Sequence, residues 1–419
     1  MTRVLALTNW YPPHHTGGYE LSCFDVMTRL VARGHEVRVL CSDERRAGAS
    51  PADPEHEARV TRALRLYHRD GDLWRPPIKE RLAIERHNQA ALEAVLQEHR
   101  PEVVSVWHMA ALSLGLLTTL IDHDIPLVFA VCDDWLSYGE VLDTWSDLFR
   151  SGPLRHAAGR LVSAVTRVPT RVPQLGEHGG WLFVSDLTQR RSHELSRFTF
   201  GRETVVYSGI DRSVFAPEPA PSPSPRPWSW RLLFVGRWDP RKGAQTAIRA
   251  LVHLPEATLA CYGRGPASER DTLAALAQAV GVEDRVTIRE VDRHDLPPVY
   301  AAADVFVFPS EWDEPFGLVP IEAMACGTPV VATARGGSAE FLEDGVTCVR
   351  FEEGDAADLA RAVTKLHDDP SLRRTLVDNG YALAEQLDVD KLADTFEAWH
   401  TYAANRFEGP PPPQRKLRA

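Results

Sequence analysis

Two glutamates, Glu314 and Glu322, flank a segment of the sequence that has the features of an anion site. The sequence predicts a short helix over Leu318 to Cys326, ended by Gly327. Glu314 lies just before this helix and Glu322 lies inside its first turns. Because carboxylates do not attract phosphate, we interpret both as acceptors for hydroxyl groups on either side of a diphosphate. A nucleotide sugar has this order of groups, with ribose and sugar flanking the diphosphate.

The backbone between the two glutamates would bind the diphosphate itself. The N–H groups near Phe316, Gly317 and Leu318 precede the predicted helix and have no acceptor within it, as at any helix N-terminus. Gly317 has no side chain, so a ligand can approach its backbone closely. The alternative that Glu314 and Glu322 are exposed acids near the positive end of the helix dipole stays open.

Alternating strands and helices must position these residues. The first 41 residues read as a β–α–β unit with strands at Val4–Leu7 and Val37–Cys41 and a helix over Tyr19 to Ala32. Gly17 and Gly18 separate the first strand from that helix. Asp186 is predicted to cap a later helix, and further strands are predicted at 103–107, 126–131, 182–184, 232–236, 258–262, 286–288, 305–308 and 329–332.

This alternation predicts an α/β fold whose parallel sheets are covered by helices on both faces. A proline-rich stretch at residues 216–230 interrupts the pattern, which then restarts. We therefore predict two doubly wound, Rossmann-like domains joined by this linker. Ligands of such sheets bind beyond the carboxyl ends of the strands, so we expect the loops there to line an interdomain cleft and to carry the chemistry.

The composition excludes several classes of function. The chain has 419 residues, enough for two or three domains, and its formal net charge of −11 argues against a nucleic-acid partner. Its six cysteines form no C-x-x-C pair and no cluster with zinc spacing, so we predict reduced thiols, no metal site and a cytoplasmic protein. No apolar stretch reaches the roughly 20 residues that a membrane-spanning helix needs.

The segment around the two glutamates also resembles a known family. Residues 309–331 read P-S-x₃-E-P-F-G-L-x₃-E-A-M-A-x-G-T-P-V-V, which is similar to the signature of retaining GT-B glycosyltransferases of family 4. Val235–Gly243 resembles the family's diphosphate-binding segment, Ser208–Asp211 its N-G-I-D element, and Pro12–Glu20 its N-terminal glycine loop. The resemblance covers most of residues 1–405 and implies the GT-B fold, with two Rossmann-like domains facing across a cleft.

The resemblance implies a role for each matching residue of the predicted second domain. Glu314 would accept hydrogen bonds from hydroxyls of the donor sugar, and Glu322 would hold the ribose. The backbone amides of Phe316, Gly317 and Leu318 would bind the sugar or the phosphates.

The same resemblance implies that two cations and two glycines bind the diphosphate leaving group. Arg237 and Lys242 would neutralise the diphosphate, and Gly17 and Gly18 would approach it from the first domain. An arginine fork and the point charge of a lysine both suit phosphate oxygens. Because departure of the nucleoside diphosphate adds charge to its phosphates, cations placed there stabilise the transition state. A divalent metal has this role elsewhere, so we expect neither a metal nor a cofactor besides the donor.

One position departs from the family pattern. Family members usually carry a histidine at the end of the fifth N-terminal strand, where it contacts the donor sugar, and Cys132 stands there in this sequence. A thiol does not reproduce the donor and acceptor of a neutral imidazole. Asp133, Asp134 and His108, at the end of the preceding strand, are the alternatives that could supply the lost contact.

A basic segment lies between the predicted strands of the first domain. Five arginines occur without any acidic residue from Arg150 to Gly176, among apolar residues at helical spacing: Arg150, Arg155, Arg160, Arg167 and Arg171. Such a stretch can rest on an anionic membrane, bind an acidic acceptor or form a plain solvated surface, and the three alternatives stay open.

The sequence therefore predicts a retaining hexosyltransferase that moves a sugar from a nucleotide diphosphate, UDP by family frequency, to an acceptor hydroxyl. The acceptor could be a lipid, a glycan or a small molecule. Two alternatives are a non-catalytic nucleotide-sugar-binding protein and a GT-B nucleotide-sugar epimerase or hydrolase. We expect it in the cytoplasm, with peripheral contact at the inner face of the membrane as an option.

The expected domain boundaries follow from the same patterns. We predict an acceptor-side domain at 1–215, the linker at 216–230, a nucleotide-sugar-binding domain at 231–388, a helix crossing back to the first domain at 389–408, and a disordered tail at 409–419.

Overall fold

The fold was analysed in a computed structural model that describes residues 1–46, 53–69, 72–215, 227–414 and 417. The chain divides into two compact units. The first unit comprises Met1–Tyr207 and Leu392–Lys416, and the second comprises mainly Ser208–Lys391. The greater part of the predicted linker, residues 216–226, lies outside the described residues.

The first unit is built on a parallel sheet. Its strands are β1 (Arg3–Leu7), β2 (Glu36–Ser42), β3 (Val60–Leu64), β6 (Val103–Val106), β7 (Leu127–Val131), β8 (Gly179–Phe183) and β9 (Glu203–Val205), while β4 (His68–Arg69) and β5 (Asp72–Leu73) form a separate antiparallel pair. The order of the seven strands is β3-β2-β1-β6-β7-β8-β9, and every neighbouring pair is parallel. The chain therefore adds β2 and β3 on one side of β1 and then reverses, adding β6 to β9 on the other side.

Helices connect these strands, and the helix predicted over Tyr19 to Ala32 is confirmed to within one residue. They are α1 (Gly18–Ala32), α2 (Pro54–Glu57), α3 (Ile78–His99), α4 (Gly115–Asp122), α5 (Trp135–Leu142), α6 (Pro153–Thr166) and α7 (Asp186–Leu195). The helices cover the sheet on both faces. In β1, every residue from Val4 to Leu7 is therefore fully buried, whichever face its side chain lies on. Gly34, with a φ of +86°, lies just beyond the C-terminus of α1, where a glycine commonly ends a helix.

The second unit repeats the architecture with a six-stranded parallel sheet. Its strands are β10 (Arg231–Val235), β11 (Thr258–Tyr262), β12 (Val286–Arg289), β13 (Val305–Phe308), β14 (Val330–Ala332) and β15 (Val349–Arg350), in the order β12-β11-β10-β13-β14-β15. Its helices are α8 (Arg212–Phe215), α9 (Ala244–Ala250), α10 (Ala267–Ala279), α11 (Leu296–Ala302), α12 (Val319–Ala325), α13 (Ala356–Asp368) and α14 (Pro370–Gln386). Here the direction of travel reverses between β10 and β13. The predicted α/β class with two doubly wound parallel sheets is confirmed.

Local details differ from the sequence prediction. Asp186 is not the cap of α7: Ser185 holds that position, and its side chain accepts a hydrogen bond from the N–H of Thr188. Residues 208–215 pack with the second unit, because Phe215 is fully buried near Tyr300 and its carbonyl accepts a bond from the Cys326 thiol.

The last helix, α15 (Val389–Ala404), belongs to the first unit from Leu392 onward. Phe396 stacks on Trp107 with ring centroids 4.8 Å apart, and Glu397 forms an ion pair with Arg33 at 2.7 Å. His400, one turn further along, is fully buried, and neither ring nitrogen has a hydrogen-bond partner among the described residues. Burial lowers the pKa of His400 to about 3, with a further lowering from His35 and an opposing effect of Glu397.

We predict that His400 makes the first unit sensitive to acid. Its folded-state pKa lies below the ordinary value of 6.5, so the unfolded chain binds the proton first and stability is lost as the pH falls below that value. From about pH 8 to about pH 5, this residue should remove about 2 kcal/mol from the free energy of unfolding.

Urea unfolding followed by tryptophan fluorescence at both pH values tests this. His400→Leu should abolish the extra loss, whereas His253→Leu, at an exposed histidine, should leave it intact. An equal loss in the wild type and in His400→Leu would contradict the assignment.

Candidate functional site

An ion pair joins two loops of the second unit at the point where its chain reverses across the sheet. Lys242 lies in the loop after β10 and Glu314 in the loop after β13. The Nζ atom of Lys242 is 2.7 Å from Oε1 and 2.8 Å from Oε2 of Glu314. The Ser310 hydroxyl donates a further bond of 2.7 Å to Oε1. Only 5% of the Glu314 side chain and 17% of the Lys242 side chain are exposed, so the pair is largely shielded from water.

The shielding affects the protonation of Lys242. Burial lowers the pKa of Lys242, and the attraction of Glu314 offsets only part of that effect. The backbone of Glu314 is fixed as well, since the N–H of Gly337 donates a bond of 2.6 Å to its carbonyl. Gly336 makes this approach possible: its φ is +65°, and a Cβ there would lie 2.6 Å from the same carbonyl oxygen.

Glu322 lies on α12 and is also buried. The hydroxyl of Tyr300, on α11, donates a hydrogen bond of 2.8 Å to its Oε2. Burial, followed by the charge of Glu322, raises the pKa of Tyr300 well above its ordinary value. Glu322 therefore already accepts from one hydroxyl group, which is the chemistry expected of it toward a ribose.

The segment between the two glutamates leaves backbone donors without acceptors among the residues described. Gly317 has a φ of +99°, which L side chains rarely adopt. Phe316 is buried against Phe341, with ring centroids 4.9 Å apart. Within the described ranges, the amides of Gly317 and Leu318 have no acceptor. These two amides are thus available to an anion.

The two cations assigned to the diphosphate, Arg237 and Lys242, have different surroundings. Lys242 is committed to Glu314, whereas Arg237 is exposed and its guanidinium makes no ion pair or hydrogen bond in the part of the chain that the structure describes. Trp312 lies beside the segment, with the guanidinium carbon of Arg241 4.8 Å and Nζ of Lys242 5.2 Å from its ring centroid.

The first unit has a second cluster of charges at its own chain reversal. His108 follows β6, Asp133 follows β7, and Glu20 lies in the first turn of α1. Nδ1 of His108 lies 2.9 Å from Oε1 of Glu20, and its Nε2 lies 3.6 Å from Oδ2 of Asp133. The ring of Tyr19 stacks on the imidazole with centroids 4.7 Å apart. Tyr138 donates a bond of 2.6 Å to Oδ2 of Asp133.

These contacts set the protonation of the cluster. Burial alone would lower the pKa of His108, but its contacts with the carboxylates of Asp133 and Glu20 outweigh burial and raise the pKa to about 9. Burial would raise the pKa of each carboxyl, and the contact with His108 brings the pKa of both Glu20 and Asp133 below its ordinary value. Near neutral pH the cluster is therefore an imidazolium held between two carboxylates. The Asp133 side chain, 27% exposed, is the acid that solvent reaches.

Cys132 and Gly17 both lie next to the charged cluster of the first unit. Burial, with the charges of Asp133 and Glu20, raises the pKa of the Cys132 thiol well above its ordinary value, so it stays protonated. The N–H of Gly17 donates a bond of 2.9 Å to Glu20, so this amide is engaged within the first unit. Gly18 is exposed and begins α1.

Sequence reasoning assigned no role to Glu20, Ser310 or Tyr300. Glu20 could have been found, because a glutamate three residues after a helix N-cap is the second half of a capping box. Ser310 and Tyr300 carry no such signal, since their contacts join residues brought together by the sheet.

Three further features bear on the predicted chemistry. All six cysteines are free. In the described ranges, no group of three or more His, Cys, Asp or Glu side chains has the arrangement of a metal site. No helix among the described residues is long and apolar enough to cross a bilayer.

We predict strong coupling between Lys242 and Glu314 in a double-mutant cycle. Lys242→Met leaves a buried carboxylate without its cation and should cost about 3–5 kcal/mol of unfolding free energy. Adding Glu314→Gln should restore most of this loss, because the amide oxygen still accepts from Ser310. Urea unfolding of the four proteins measures the coupling, and additive single effects would contradict a shielded pair.

We predict that Glu20 helps to hold the proton on His108. In Glu20→Gln, the pKa of His108 should fall from about 9 by about one unit or more, because one of its two anionic partners is lost. The stability that His108 contributes is complete below pH 6.5 and is lost as the pH rises through its folded-state pKa. Histidine NMR titration measures the pKa, with the exposed Glu194→Gln as control. An unchanged titration in Glu20→Gln would refute the pairing.

Two protein-family models match the chain side by side. The one described as Glycosyltransferase Family 4 matches residues 16–214, and the one described as Glycosyl transferases group 1 matches residues 224–383. The first match covers β2 to β9 of the first unit, and the second match covers all six strands of the second unit.

Curated relatives match over part of their length. D-inositol 3-phosphate glycosyltransferase of Mycobacterium sp. (strain KMS) is 36% identical over 189 residues, which are 42% of this chain and 43% of that protein. Lipopolysaccharide core biosynthesis glycosyltransferase LpsE of Rhizobium meliloti (strain 1021) is 38% identical over 166 residues, 39% of this chain and 48% of that protein. The chain thus spans less than half the length of these relatives.

Solved structures share the fold over nearly the whole chain. HepE of Anabaena, in complex with UDP and glucose, has a TM-score of 0.67 at 22% identity, covering 95% of this chain and 98% of that one. Sucrose-phosphate synthase of Thermosynechococcus elongatus has a TM-score of 0.69 at 21% identity, covering 98% and 100%. With a matching family model on each sheet and this shared fold, the chain belongs to the GT-B glycosyltransferases, with a family 4 N-terminal part and a group 1 C-terminal part.

Proposed function

We propose that this chain is a retaining hexosyltransferase that uses a nucleotide diphosphate sugar, with UDP as the base of first choice. The observation that carries the proposal is the buried Glu314, which Lys242 and Ser310 hold beside the open amides of Gly317 and Leu318. A fixed carboxylate suits the hydroxyls of a sugar, and the amides suit an adjacent phosphate. The solved complex of HepE with UDP and glucose supports the choice of donor.

Each residue then has a distinct task toward the donor. Glu322 accepts from the ribose hydroxyls, and Glu314 accepts from the hydroxyls of the transferred sugar. Arg237, exposed and without a partner among the described residues, binds phosphate oxygens, and Lys242 adds a second charge close by. Both cations stabilise the charge that grows on the diphosphate as it leaves. The reaction then needs no cofactor and no metal ion.

The cluster of Glu20, His108 and Asp133 gives the first unit its part in the reaction. Cys132 is a protonated, largely buried thiol and has no task in catalysis. His108 takes its place by holding the solvent-accessible carboxylate of Asp133 in one position for a ligand hydroxyl. Gly17 serves this cluster by binding Glu20, and Gly18 keeps the exposed start of α1 free of a side chain.

A second candidate is a nucleotide-sugar-binding protein without catalytic activity. The observation that favours it is Cys132 itself, because the family places an imidazole there. Both candidates predict donor binding, and only the enzyme consumes the donor when an acceptor is present.

Thermal unfolding with UDP, GDP, ADP and their sugar conjugates, without added metal, tests donor binding. One nucleotide family should stabilise the chain selectively, by about 2.7 kcal/mol at a concentration of about 100 times its Kd. Arg237→Met and Glu322→Gln should weaken this shift, whereas Arg374→Gln, at an exposed arginine of α14, should not. The absence of a shift with every nucleotide would contradict the proposed site.

Nucleotide release from the selected donor separates the two candidates. An enzyme should release UDP only with an acceptor from a panel of lipids, glycans and small molecules, and should do so equally in EDTA. Asp133→Asn should lower kcat by about tenfold or more while leaving donor binding intact. Binding without turnover across the panel would favour the non-catalytic candidate.

A further inference from the structure

Helix α6 exposes an apolar stripe to solvent. The exposed fractions of Leu154, Leu161 and Val165 are 85%, 67% and 74%, and their spacing of seven and four residues places them on one face of the helix. Gly159 is the buried residue of α6, and a Cβ at its position would lie 3.0 Å from side-chain atoms of Phe149 and Thr170. The helix thus packs closely on its glycine side, and the opposite side stays open.

The stripe is bordered by cations. Arg155, Arg160, Arg167 and Arg171 are all exposed, and none of them forms an ion pair with a residue that the structure describes. Arg150, the fifth arginine of the segment, pairs with Asp147 at 2.9 Å. No acidic residue occurs from Arg150 to Gly176, although the whole chain carries a formal charge of −11. The segment is therefore a positive, apolar patch on an acidic protein.

We propose that α6 docks on an anionic lipid surface. Its stripe runs about 16 Å along the helix, so Leu154, Leu161 and Val165 can enter the headgroup layer together while the helix lies flat. The flanking guanidinium groups then meet lipid phosphates, to which they can donate two hydrogen bonds each. The rest of the chain carries the negative formal charge, so an anionic surface favours contact through the basic α6 segment.

Charge and shape favour a membrane over other occupants. A second copy of the chain, docked through the same stripe, would bring the arginines of both copies together without any acid to neutralise them. The stripe consists of aliphatic side chains, without the aromatic anchors typical of protein interfaces. This inference rests on α6 alone and holds whether or not the chain transfers a sugar.

Vesicle flotation of the full chain tests the proposal. The chain should float with phosphatidylcholine vesicles that contain about 30 mol% phosphatidylglycerol, and not with phosphatidylcholine alone. Binding should weaken as salt rises from about 0.1 M to about 1 M. Leu161→Ser/Val165→Ser and Arg155→Gln/Arg160→Gln should each lower the partition coefficient by about tenfold or more.

Matched substitutions elsewhere serve as controls. Leu195→Ser changes an equally exposed leucine of the first unit, and Arg249→Gln/Arg374→Gln removes two exposed charges of the second unit. Neither control should change the partition coefficient, and circular dichroism should show that all variants stay folded.

Three outcomes would overturn the proposal. The first is equal binding, or none, to neutral and anionic vesicles. The second is a loss in the arginine variant with full binding of the serine variant, which would make α6 a plain charged surface. The third is a dimer in sedimentation that Leu161→Ser/Val165→Ser dissociates without any vesicle binding, which would make the stripe an interface between copies.

Discussion

Both units are organised by one constraint: a parallel sheet covered on both faces leaves little room for charged side chains along its central strands. Residues of β1 such as Val4 and Leu5 are fully buried, and the charged groups of the two clusters lie in the loops and the helix start beyond the carboxyl ends. The chain reverses across the sheet between β1 and β6 in one unit and between β10 and β13 in the other. The loops diverge at such a point, which is where each unit has its charged cluster.

The two clusters solve the same electrostatic problem in different ways. A buried carboxylate needs a cation or several donors, because the free energy of removing its charge from water is large. Glu314 receives Lys242, the Ser310 hydroxyl and a backbone clamp. Glu20 receives His108 and the N–H of Gly17. In each case the carboxylate is fixed in position, as recognition of a hydroxyl group requires.

The cluster of Glu20, His108 and Asp133 lies beside Cys132, where the chain departs from the family pattern. The family's imidazole is absent from the end of β7, yet an imidazole reaches the same edge of the sheet from the neighbouring strand β6. His108 is held there as a cation between two acids, so it differs in charge from a neutral histidine. Asp133 is the more exposed of its two carboxylate partners.

The sequence by itself determined the α/β class, the limits of most strands to within a residue or two, and the residues around Glu314 and Glu322, because hydrophobic periodicity and turn residues are local signals. It also singled out the arginines around α6. Only the tertiary structure decided the partners: Lys242 pairs with a glutamate 72 positions away, and Glu20 with a histidine 88 positions away. Strand order in the sheet creates those neighbours, and strand order depends on long-range packing that no local pattern encodes. The same holds for the apolar stripe on α6. Gly159 packs closely against the rest of the first unit, and this tertiary contact decides that the stripe is exposed to solvent.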